Sequence, residues 1–114
     1  MAHFYTYETV DIPLVFTPEE VLQDYRHIVV SLKQDDVIQI NKTEEELGID
    51  VEHGTINISL SQEETAQFKG GSQNNPRQIL IQVNIYYNDT DRDVSTIKSI
   101  DVYDNLYKKV MPSA

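Results

Sequence analysis

With 114 residues, 39% of them hydrophobic, the chain is long enough for one domain around a single core. Its net charge of −10, nineteen Asp and Glu against nine Lys and Arg, would repel a phosphate backbone or an anionic bilayer, so no nucleic acid and no membrane is expected as a partner. Cysteine is absent, which excludes disulfides, a thiolate nucleophile and zinc–thiolate sites.

The opening MAHFYTYETVDIPL has no basic segment followed by an apolar run, so no signal peptide is expected. From Thr9 the sequence alternates with period two: Val10, Ile12, Leu14 and Phe16 against Thr9, Asp11, Pro13 and Val15, the pattern of a half-buried strand. Pro13 has no N–H for a ladder, which puts this strand at a sheet edge or its proline on an unpaired side. Thr17-Pro18-Glu19-Glu20 then reads as a helix start, with a cap, a proline at the first position and a glutamate three residues on. Ile28, Val30 and Leu32 form the next inward face, and Ile38 and Ile40 follow after the turn-like KQDDV. Thr43-Glu44-Glu45-Glu46 repeats the capped turn, with Gly48 as its expected stop. DVEHG precedes a strand carrying Ile56, Ile58 and Leu60.

Ser61 and Glu64 have the spacing of a capping box, and Gln62, Glu63 and Glu64 fill a first turn where negative charge suits the helix dipole. Phe68 is expected to fold back onto the core, with Gly70 as the stop. GGSQNNP is the longest loop. The clearest strand comes next, with Ile79, Ile81, Val83, Ile85 and Tyr87 on one face and Leu80, Gln82, Asn84 and Tyr86 on the other. After the turn-like NDTDRD, a weaker inward set is Thr96, Lys98, Ile100 and Val102. These runs predict an all-β chain: a single antiparallel β-sandwich over residues 1–114, with short helical turns near 18–25, 43–47 and 62–67, the last crossing between sheets. The three capped turns hold seven of the nineteen acidic residues, so much of the charge reads as structural.

Chemistry is sparse. Asp89, Asp91 and Asp93 are spaced like the first ligands of a calcium loop, but Val94 stands where that loop needs glycine and Ile100 where it needs a bidentate glutamate. A solvated turn between paired strands explains the same residues. His3, His27 and His53 share no ligand spacing, Gly70-Gly71-Ser72 is not a phosphate loop, and no nucleophile elbow occurs. No enzyme activity and no cofactor is therefore expected. Tyr5, Tyr7, Tyr86, Tyr87, Tyr103 and Tyr107 suit a sugar-stacking or subunit-contact surface, and equally the ordinary use of Tyr in strands.

INISLSQEET (residues 56–65), followed by Phe68 and by ILIQVNI (residues 79–85), resembles small phage and prophage virion proteins of Gram-positive bacteria, in particular the N-terminal β-sandwich modules of upper-baseplate and fibre-anchoring proteins. The resemblance covers roughly residues 26–103. It implies a non-enzymatic virion component of head, neck or baseplate, assembled in the bacterial host cytoplasm, whose partners are other virion proteins and copies of itself. At this length it implies the attachment or decoration module alone, or a small accessory protein. The alternative is a carbohydrate- or ligand-binding sandwich, which the lack of Trp weakens. The chain ends carry apolar groups with little remaining core to join. An arm, residues 1–7 with Phe4, Tyr5 and Tyr7, and a tail, residues 104–114 with Leu106, Tyr107 and Val110, are therefore expected to contact a neighbouring subunit.

Overall fold

A computed structural model describes residues 3–17, 19–88, 90–95 and 97–110, leaving aside the side chains of Glu19 and Ile38. Among these residues the period-two runs form nine strands: β1 His3–Tyr5, β2 Val10–Val15, β3 His27–Gln34, β4 Ile38–Thr43, β5 Leu47–Asp50, β6 Thr55–Leu60, β7 Arg77–Tyr86, β8 Arg92–Val94 and β9 Lys98–Tyr103. The larger sheet runs β1-β9-β7-β3-β4, with β8 also on β7; the smaller runs β2-β6-β5. Their apolar faces meet as a sandwich. Every strand pair is antiparallel except one: β1 lies parallel to β9.

Register aligns the inward residues. Ile28 faces Ile85, Val30 faces Val83 and Leu32 faces Ile81 across β3 and β7, while Ile79 faces Ile100 across β7 and β9. Ile12, Leu14, Ile56, Ile58 and Leu60 close the core from the smaller sheet. Each such fully buried aliphatic contributes about 1.5–3 kcal/mol of transfer free energy. Of the two placements its proline allows, β2 takes the sheet edge.

The chain changes sheet at four corners, and acidic turns stand at three of them. A 3-10 turn at Glu19–Leu22 joins β2 to β3, a second at Glu44–Glu46 joins β4 to β5, and helix α1, Gln62–Thr65, carries β6 towards β7. A backbone leaving its ladder must find new partners for its N–H groups. Carboxylates supply them: Glu64 accepts from the Ser61 N–H at 2.9 Å, Glu46 from the Thr43 N–H at 3.2 Å, and Glu44 from the Ile28 N–H at 3.1 Å. Ser61 accepts in turn from the Glu64 N–H at 3.2 Å, completing the box that the sequence predicts. Pro18, part of the first capped turn, lies outside the described residues.

Several expectations need correction. Gly48 does not end a turn; it stands inside β5, with Leu47 and Ile49 half-buried on either side. The segment NDTDRD is only partly loop, because Arg92–Val94 pairs with β7. Of the set at 96–102, Ile100 and Val102 are buried, Lys98 is exposed, and Thr96 lies outside the described residues. The largest correction concerns the N-terminal arm. Phe4 is fully buried, 6.2 Å from the Phe68 ring centre to centre, and β1 is hydrogen-bonded along β9. An aromatic side chain on a strand of the main sheet has a core to join, so Phe4 is not a partner contact and residues 3–5 are not a free arm.

Candidate interaction surfaces at the two ends of the sandwich

At the end of the larger sheet where β9 finishes, three distant segments are bound backbone to backbone. The Thr6 N–H donates to the Tyr103 carbonyl at 2.9 Å, the Gly71 N–H to the Val102 carbonyl at 2.9 Å, and the Asp104 N–H to the Gly71 carbonyl at 2.8 Å. The Asn105 N–H reaches the buried Thr6 hydroxyl at 3.1 Å. This closeness dictates Gly70 and Gly71: a Cβ would stand 2.4 Å from the Asp104 nitrogen at one and 2.2 Å from the Asn75 carbonyl oxygen at the other. Next to this seam the buried Gln34 amide donates to the Lys69 carbonyl at 2.8 Å and accepts the Lys69 N–H at 2.7 Å, replacing a missing ladder partner.

From this anchored base the tail projects. The Tyr107 N–H is held by the Asn105 side chain at 2.9 Å, and Lys108 pairs with Asp104 at 3.0 Å. Leu106 is 100% exposed, Tyr107 60% and Val110 40%. The expected tail contacts Leu106, Tyr107 and Val110 are thus displayed to solvent, with Lys108 and Lys109 between them. Beside the tail base, His3, Tyr5 and Tyr103 form an aromatic cluster with ring centres 5.4–6.1 Å apart. Tyr5 and Tyr103 line a cleft of about 470 Å³ with Gly70–Gln73, Asp104 and Leu106. Tyr7, half-buried, sits nearby in the turn between β1 and β2 with φ 65°, the left-handed region that bulky residues rarely enter.

The other end is open. Strand β7 pairs with β9 along Arg77–Ile81 and with β8 along Asn84–Tyr86. Asn84 faces Val94 and Ile81 faces Lys98, so the β8–β9 strand spends one residue more than β7 over this stretch, which is a bulge. Ser95 seals it, accepting the Val83 N–H on its hydroxyl at 2.9 Å and donating its own N–H to the Val83 carbonyl at 2.9 Å. Beside the bulge, between the two sheets, lies a groove of about 380 Å³. Its floor includes Leu14, Val21, Ile81, Val83 and Ile85, and Asp93 and Lys98 stand at its mouth. The Tyr87 hydroxyl donates to the Val21 carbonyl, tying the first 3-10 turn to the rim, and lies 3.4 Å from Asp93. Burial, and then the Asp93 charge and hydrogen bond, push the Tyr87 hydroxyl above its ordinary pKa.

Asp91 and Asp93, two of the three calcium candidates, are drawn apart by these contacts. Asp91 accepts from the Asn88 amide at 2.9 Å within a tight turn, and Asp93 faces the groove; Asp89 lies outside the described residues. Asn88 caps that turn, accepting from the Thr90 and Asp91 N–H groups, both at 2.8 Å. His27 and His53 each pair locally, with Glu44 and Asp50 at 2.8 Å, and those hydrogen bonds hold both carboxylates below the ordinary range. Among the described residues no three His, Asp or Glu side chains gather as a metal site, and no helix is long and apolar enough to cross a membrane.

One acidic group does more than cap a turn. Lys42, on β4, has an almost buried side chain, and its ammonium meets Glu64 at 2.6 Å, linking the edge of the larger sheet to α1. Burial alone would raise the Glu64 pKa, but the Lys42 hydrogen bond and charge, together with the Ser61 bonds, outweigh it and hold the carboxyl below its ordinary value.

The groove has no signature in the sequence as a pocket. The trace it leaves is the lost period between Val94 and Ile100, where Ile97 falls out of phase. No protein-family model matches the chain, and no curated protein is detectably similar to it.

Proposed function

We propose that this chain is a non-enzymatic structural component of a bacteriophage virion: a multicopy decoration, attachment or fibre-anchoring protein of head, neck or baseplate that works through contact with other virion proteins. The observation that carries the reading is the tail, which presents Leu106, Tyr107 and Val110 to solvent from a base fixed by backbone hydrogen bonds. A rigid sandwich that displays an apolar segment is built for a protein partner. The likeness of INISLSQEET and ILIQVNI to phage and prophage virion proteins supports the same reading. Mass spectrometry of purified particles from the source phage tests it: the chain is expected at a stoichiometric copy number, and lost from particles when residues 104–114 are deleted. Its absence from particles would refute the reading.

A second reading, a carbohydrate-binding sandwich, is favoured by one feature, the His3, Tyr5 and Tyr103 rings beside a cleft that also presents Gln73 and Asp104. Aromatic faces and polar side chains together suit a pyranose. Glycan-array binding that Tyr103→Ala abolishes would establish it; an array with no binding would dismiss it.

A further inference from the structure

We infer that copies of this chain join head to tail, with Leu106–Val110 of one copy lying in the groove between the two sheets of the next. The inference deepens the virion reading, on which it rests only for where the assembly is used.

Leu106 cannot reach the groove of its own chain. Lys98, at the groove mouth, and Tyr103, where the tail begins, are the two ends of β9, so about 17 Å of strand separates them. Leu106 is three residues past Tyr103 and reaches at most ~10 Å from it. It is held closer still, because Asp104 and Asn105 are pinned to Gly71 and Thr6 and Tyr107 is bonded to Asn105. Leu106 and the groove therefore belong to opposite ends of one rigid body.

Their chemistry is complementary. Over the buried floor the groove offers the exposed Val15 of the smaller sheet and Val94 of the larger, and the tail offers Leu106, Tyr107 and Val110. Charge selects which part of a second copy can approach. Two bodies of net charge −10 repel, but residues 106–110 carry Lys108, paired with Asp104, and Lys109, with no acidic residue among them. Of the two charged groups that line the groove, Asp93 and Lys98, the exposed Asp93 is the one that Lys109 would meet. One donor end and one acceptor end per chain make a heterologous contact, which closes into a ring or continues as a filament, as a multicopy virion part requires.

Sedimentation velocity of the purified chain, up to about 1 mM where even a very weak contact is populated, reads the association directly. The full chain should form a concentration-dependent series of oligomers. Leu106→Ser and Asp93→Lys each change an exposed side chain and should melt as the parent does while losing at least tenfold in association. Mixed together, the two variants should recover pairing but stop at the dimer, since only one intact tail and one intact groove remain. Combining Asp93→Lys with Lys108→Glu and Lys109→Glu in one chain should restore the series. A chain that stays monomeric at 1 mM, or a Leu106→Ser variant that associates like the parent, overturns the inference. Neither result touches the presence of the protein in particles, which mass spectrometry decides separately.

Discussion

The two ends of the larger sheet are built from the same strands and behave in opposite ways. Where β9 ends, Gly70 and Gly71 bring a loop into backbone contact, and β1, the loop and the start of the tail share one hydrogen-bonded seam. Where β7 changes partner from β9 to β8, a single extra residue interrupts the pairing, and a shallow groove lies over a floor that is itself buried. Closure at one end depends on close backbone approach, and the groove at the other lies beside a bulge. A sandwich can thus present a firmly held apolar segment at one pole and an apolar receptor at the other without any large change in its strands.

Substitutions at each place sharpen this contrast. The largest effect is expected under the groove. Ile81 is 1% exposed although it lines the groove floor, so Ile81→Ala should cost ~2–5 kcal/mol in denaturant unfolding. A loss below ~0.5 kcal/mol, the range of surface changes, would mean that the open end has no packed floor. At the closed end, Gly71→Ala pushes a methyl group into backbone atoms and should cost about 1–3 kcal/mol. An unchanged melting temperature would show that the seam yields freely. Between the poles, Glu64→Gln leaves the nearly buried Lys42 ammonium without its counter-charge and should cost about 1–3 kcal/mol, whereas exposed Glu63→Gln should stay within ~0.5 kcal/mol. The Glu64 contribution carries a pH signature. Its folded pKa is depressed, so the stability it supplies is fully present above the unfolded carboxylate pKa of about 4.3 and disappears as pH falls through the folded value. The gap between parent and Glu64→Gln stability should therefore close in acid; a gap that is constant with pH would deny the ion pair any part in it.

Much of this fold is written locally. The faces of β3, β6 and β7 are legible because aliphatic residues alternate over six residues or more, and the turn at 61–64 because Ser61 and Glu64 need only each other. What stays hidden depends on distant partners. Three-residue β1 is a strand only because β9 lies beside it, and Phe4 is core only because β1 is a strand. Gly48 looks like a helix stop but accompanies β6 within β5. Gly70 reads as loop chemistry, yet it answers to Asp104, more than thirty residues on, whereas Gly71 answers to Asn75 in its own loop. The tail residues Leu106, Tyr107 and Val110 were visible as apolar groups beyond the last strand, while the groove arises from a change of strand partner that has no local grammar.

Because the chain has no native cysteine, disulfide trapping gives a clean reading of the head-to-tail contact. One chain carrying Leu106→Cys is mixed with one carrying Lys98→Cys and oxidised under mild conditions. A disulfide linking Leu106→Cys to Lys98→Cys, formed faster than either symmetric dimer and suppressed by Asp93→Lys in the groove-bearing chain, is the predicted result. Rapid linkage of Leu106→Cys to itself, with no mixed product, would place tail against tail and contradict the account.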